Sequence, residues 1–158
     1  MANRFLVGAD GIDEPSWLGS VEPFLQKMAA ELGFDGQEAS LVFCGDEMIR
    51  ELNKNYRNID AATDVLSFEN GEKFTDEDGS QWTLAGDIAI SVDTLKKNAE
   101  YFGIDENSEL KRLLLHGLLH LNGYDHGEEH IEKGKAPECE MLKLQEEILL
   151  KYEGEKII

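Results

Sequence analysis

The apolar positions of the chain follow two rhythms. Short runs rich in β-branched and aromatic residues occur at 3–8 (NRFLVG), 38–45 (EASLVFCG), 63–69 (TDVLSFE) and 84–91 (LAGDIAIS), and they predict four strands. Elsewhere apolar residues recur at helical spacing. Such a pattern runs from about Ser20 to Gly33, with Ser20 as its cap, Pro23 in its first turn and Gly33 as its stop. Asp46 is expected to cap a second helix over 46–57, and Ser91 a third over 92–103. A fourth starts at Asn107 or Ser108 and runs to Gly123, and Pro137 opens a fifth. The segment ENGEKFTDEDGSQW (69–82) carries Asn-Gly and Asp-Gly signals and predicts a hairpin loop. Residues 70–80 and the tail after Glu153 are the expected mobile parts. Strands and helices alternate early, and helices cluster late. The expectation is one α+β domain over residues 1–158: a small mixed sheet of three or four strands packed with about five helices.

The fourth helix is unusual. Leu110, Leu113, Leu114, Leu115, Leu118, Leu119 and Leu121 cover most of its circumference, so it is buried on most sides. His116 and His120 interrupt the leucines. Positions four apart lie one above the other, so both imidazoles face one way. Asn122-Gly123 supplies a helix stop, after which the chain can bring His126 back to the same point. Three neutral imidazoles with water in a fourth position suit a catalytic zinc ion, in a cleft that the buried helix faces. A lone histidine on an apolar helix is ordinarily a satisfied core residue. Three of the chain's four histidines around a glycine turn are a stronger sign. His130, in a charged stretch, is read as exposed. Asp125 is read as a turn former or a partner of a ligand. Nickel, copper and cobalt also bind three imidazoles, so zinc is the first choice among several.

Composition narrows the setting. The chain has 158 residues and a formal net charge of −18. Most of the carboxylates are expected to solvate helix faces and loops. A field of that sign excludes broad electrostatic binding of nucleic acid, which needs a basic surface. An RNA substrate would have to be met by a local pocket, or be delivered by a basic partner. Cys44 and Cys139 stand far apart, which argues against a disulfide framework and for a reducing cytoplasm. No apolar run approaches the roughly 20 residues needed to span a membrane. The first residues lack the basic, apolar and small-residue order of a leader peptide.

The spacing H-x3-H-x5-H matches that of metzincin peptidases, but Gly117 stands where those enzymes carry their glutamate base. Peptide hydrolysis at zinc needs that base. A phosphodiester asks for less, because a metal and an arginine can stabilise the charge spread over its non-bridging oxygens. A glycine beside the metal also removes bulk and negative charge from the path of a phosphate. Arg50, Lys54 and Arg57 are the nearby cations. Arg57, at or just past the end of the second helix, is best placed to aim a guanidinium into a cleft. The plainer alternative is a surface arginine paired with Asp60 or Asp64.

LNKNYRNIDAATDVLSF (52–68), AGDIAIS (85–91) and HGLLHLNGYDH (116–126) together resemble the YbeY family of bacterial endoribonucleases, in the family's order and at its length. The resemblance implies an α+β fold with a metal-bearing cleft and hydrolysis of single-stranded RNA. It also implies a role in maturing the 3′ end of small-subunit ribosomal RNA and in ribosome quality control. It assigns zinc to His116, His120 and His126, and its functional arginine falls on Arg57. The family's strand commonly ends L-S-F-P, whereas Glu69 follows Phe68 here, which lengthens the strand or alters the rim of the cleft. The acidity suits action on an assembled ribosome, where basic ribosomal proteins offer a docking surface. In the expected scheme, metal-bound water attacks phosphorus and Arg57 steadies the phosphate. A second water or Asp64 serves the leaving oxygen. Two alternatives stay open: a ribosome-assembly binding factor with a structural metal, and a zinc hydrolase of another substrate.

Overall fold

A computed structural model of the chain describes residues 2–125 and 136–158. The elements run β1 (Arg4–Ala9), a 3-10 turn (Leu18–Ser20), α1 (Val21–Leu32), β2 (Gln37–Cys44), α2 (Asp46–Arg57), β3 (Val65–Thr75), β4 (Gln81–Ser91), α3 (Val92–Phe102), α4 (Glu106–Leu121) and α5 (Glu140–Lys151). The sheet order is β1-β2-β4-β3. β1 pairs parallel to β2 and β2 parallel to β4, while β3 pairs antiparallel to β4. Among the described residues the mixed sheet therefore has four strands, and five α-helices cover it, as an α+β domain.

Alternation along the strands divides the apolar residues between two faces. Ala39, Leu41 and Phe43 of β2, with Ile88 and Ile90 of β4, meet α1, α4 and α5 in the main core. The residues between them, Val42, Cys44 and Ala89, face the other way and pack on Ile49 and Leu52 of α2. α4 sits inside the main core. Leu110, Leu113, Leu114, Leu115, Leu118 and Leu119 are all 0% exposed, as the leucine distribution predicted.

Several boundaries differ from expectation. β3 does not stop near Glu69 but pairs through Thr75 opposite Gln81, so the reversal shrinks to Asp76–Ser80. Asn70-Gly71 forms an irregularity within the ladder instead of a hairpin turn; Gly71 takes φ 91° there. The dipeptide marked backbone freedom, and the pairing of Phe74 with Trp82 carried the strand past it. The tail after Glu153 is docked. Ile157 is buried and its N–H donates to Asn107 Oδ1 at 2.7 Å, while buried Lys111 donates to the carbonyls of Tyr152 and Glu153. Burial lowers the Lys111 pKa, against nearby carboxylates that act to raise it. Ser20 makes no capping bond. Asp46 is the first residue of α2, not its cap, and Gly45 stands at the cap position. α4 starts at Glu106, because Asp105 accepts from Ser108 N at 2.7 Å, and α5 starts at Glu140, after Pro137.

Gly86 explains the glycine of AGDIAIS. It has φ 142°, and a Cβ there would fall 2.0 Å from the Phe68 carbonyl oxygen. No side chain fits, so β3 can cross close over β4 at Glu69, where the two strands remain in register.

Candidate functional site

Where β3, α3 and α4 meet, they enclose a cleft of about 550 Å³. One wall carries Arg57 and residues Val65–Ser67, another carries Asn98, Tyr101 and Phe102, and Arg112, His116 and His120 line it along α4. Thr63, Asp64, Leu113, Asp125 and Leu142 also line it.

The two histidines converge as the four-residue spacing required. Their Nε2 atoms lie 3.1 Å apart and their ring centroids 4.6 Å apart. His116 Nδ1 lies 2.8 Å from Gln145 Oε1 of α5. His126 and His130 fall outside the described residues. Among the described residues, no three metal-ligating side chains gather at one point.

Arg57 ends α2, where Asn58 turns into the left-handed region at φ 60°. The loop beyond is tied back by Asn53, which donates to Ala61 O at 3.0 Å. The Arg57 guanidinium donates to Ser67 O and lies over the Phe68 ring, 5.3 Å from its centroid. It pairs with neither expected carboxylate. Asp60 takes Arg50 at 2.8 Å. Asp64 accepts from Val65 N at 2.7 Å and Asn98 Nδ2 at 2.9 Å, with Arg112 3.7 Å away. Arg57 is therefore braced by uncharged groups and, among the described residues, makes no direct carboxylate contact. Asp64, with both oxygens engaged, anchors the start of β3 to α3.

Arg112 was not singled out from the sequence. It precedes His116 by four residues and so shares the stripe of the two histidines. Its side chain is 12% exposed and grips fully buried Glu109 with two bonds, of 2.7 and 2.5 Å. Burial opposes its charge, but the Glu109 bonds and the nearby carboxylates outweigh that and raise its pKa. Asn98 bridges Asp64 and Glu109 at 2.9 and 3.0 Å. A cation at the fourth position of a leucine and histidine stripe was the available signal. Gln145 left a similar one, a lone amide among the apolar positions of α5.

Gly117 does not face the cleft. A Cβ there would lie 3.1 Å from Ile88 Cδ1 and Cγ2 of β4. The expectation that this glycine clears a phosphate's path is corrected: it lets α4 pack closely on the sheet. Cys44, buried against the Ile90 carbonyl, takes no part in the cleft. Burial, aided by Asp10, Asp46 and Asp93, pushes its thiol up to about 11, so it is an inert core group.

Residues 8–153 match the family model described as Endoribonuclease YbeY. Endoribonuclease YbeY of Treponema denticola is 48% identical over 150 residues, covering 92% of each chain. The Treponema pallidum protein of that name is 41% identical, covering 95% of this chain and 90% of its own. The one from Aquifex aeolicus is 39% identical, covering 83% and 81%. The solution structure of a Thermotoga maritima protein superposes with a TM-score of 0.61 at 25% identity, covering 95% of this chain and 89% of that one. This chain belongs to the YbeY family of endoribonucleases.

Proposed function

We propose that the chain is a zinc-dependent endoribonuclease that cleaves single-stranded RNA. In this reading it matures the 3′ end of small-subunit ribosomal RNA and serves ribosome quality control in the cytoplasm. The observation that carries the proposal is the pair of imidazole nitrogens 3.1 Å apart in a cleft that Arg57 also lines. Two Zn–N bonds of about 2.0–2.1 Å at a tetrahedral angle put their nitrogens roughly 3.3 Å apart, close to the observed separation. The donor set fits a borderline-soft transition ion. His116, His120 and His126 would hold it, and when bound it would supply Lewis acidity toward water and a phosphoryl oxygen.

The protein's own groups then have distinct tasks. Arg57 spends one of its five donors on Ser67 O, and the rest can serve a phosphate's non-bridging oxygens. Asp64, Asn98, Glu109 and Arg112 form a rigid wall that fixes α3 against α4. The proton for the leaving oxygen comes from solvent water, since Asp64 is committed elsewhere. Membership of the YbeY family and the endoribonuclease relatives support the nuclease reading.

His120→Ala should lose both bound metal and cleavage of a single-stranded RNA. Arg57→Ala should keep its metal and lose about 10²-fold in kcat. Metal analysis beside a gel assay checks both, and full cleavage by metal-free His120→Ala would refute the scheme. The net charge of −18 favours a second reading, a ribosome-assembly binding factor with a structural metal. Complementation separates them: normal ribosomal RNA ends restored by folded metal-ligand variants would favour binding over catalysis.

A further inference from the structure

Gln145 is fully buried in the apolar stripe of Met141, Leu142 and Ile148 on α5. A buried amide is costly to leave unpaired, so its partners are informative. Its Nε2 donates to Glu146 Oε2 at 3.2 Å, which fixes which end of the amide points where. The other end, Oε1, lies 2.8 Å from His116 Nδ1 and can only accept. With the amide in this orientation, Nδ1 is the nitrogen that must carry the His116 proton. The lone pair on Nε2 then points into the cleft, toward His120 Nε2. That is the tautomer an imidazole needs to ligate through Nε2.

We infer that Gln145 is a positioning residue: it locks the tautomer and ring orientation of His116 and thereby sets the metal affinity of the site. The inference rests on the metal-dependent reading above. It gives α5 a task beyond covering the core, because α5 brings an amide to the back of His116. A neutral amide also does this without adding negative charge behind the ligand, so the cation's pull on a phosphate is undiminished.

The test is the zinc dissociation constant of the full-length protein, measured by competition with a chromophoric chelator. Gln145→Leu, which keeps the volume and removes the acceptor, should bind zinc about 10–100-fold more weakly than the parent. Gln145→Glu restores an acceptor and should bind within about 3-fold of the parent, or more tightly. A packing role alone would not be rescued by glutamate. Parent-like affinity in Gln145→Leu, while His120→Ala has lost its metal, overturns the inference and leaves the metal reading standing. No zinc binding by the parent overturns the metal reading and the inference with it. Long-range 15N–1H correlation spectra of the unmutated full chain give an independent readout. The proton is expected on His116 Nδ1, and a proton on Nε2 contradicts the inference.

Discussion

At the scale of single residues, Gly117 shows how a local vacancy is set by its neighbour. With Ile88 3.1 Å from where a Cβ would sit, an alanine gains about 1 kcal/mol of helix propensity and loses a similar amount in crowding. Gly117→Ala should therefore change stability by less than about 1 kcal/mol in urea unfolding. Gly117→Glu, which restores the peptidase spelling, would push a carboxylate into the sheet and should cost at least about 3 kcal/mol without creating peptidase activity. An easily accommodated glutamate would show that the helix sits further from β4 than described. The histidine pair was legible in the sequence because helical geometry alone makes positions four apart converge. The orientation of Gly117 was not, since a glycine among leucines leaves no sign of which neighbour presses on it. Arg57 was found as a cation near a helix end. Its brace on Ser67 O and Phe68 depends on where β3 lies relative to α2, which pattern does not encode.

At the scale of elements, Asp46 joins the start of α2 to the start of α3. Its carboxylate accepts from Ser91 Oγ at 2.6 Å, Thr94 Oγ1 at 2.5 Å and Lys97 Nζ at 2.7 Å. Burial pushes its pKa up, but these three bonds outweigh burial and lower it overall. A carboxyl with a depressed folded pKa stabilises fully above its unfolded value and loses that contribution as pH falls through the folded one. Asp46→Ala should thus cost about 1–2 kcal/mol at pH 7, mostly from the two hydroxyl bonds, since Lys97 is largely exposed. The gap from the parent should close as pH drops below about 4. Urea titrations at several pH values check this, and a gap that widens on acidification would contradict it. Asp46 was expected as a helix cap. Its place at the start of α2 was legible, but its bonds to the helix whose cap lies 45 residues on were not. The hairpin failed for a related reason. Turn dipeptides report what the backbone permits, and the cross-strand partners decide whether the strand continues.

At the scale of the molecule, a strongly acidic chain offers a phosphodiester a pocket with local cations. Long-range repulsion between protein and RNA is screened as salt rises, while the few direct phosphate contacts weaken only shallowly. For a short single-stranded RNA, kcat/KM should stay level or rise between about 20 and about 150 mM salt. A fall of about tenfold or more would reveal an extended basic track that the charge distribution does not suggest. Adding a basic protein partner should act in the same direction as salt, if repulsion is what limits encounter. Among the described residues, no helix is long and apolar enough to cross a membrane. The four-stranded mixed sheet and five helices followed from the alternation of patterns, whereas the docked tail depended on long-range bonds from Asn107 and Lys111.

The most direct measurement is cleavage of a defined single-stranded RNA by the purified full chain, stripped with a chelator and then titrated with zinc while bound metal is counted. Activity should vanish with the metal and return in proportion to zinc, reaching its plateau at one ion per chain. Undiminished cleavage by protein shown to hold no metal would contradict a reaction built on His116 and His120.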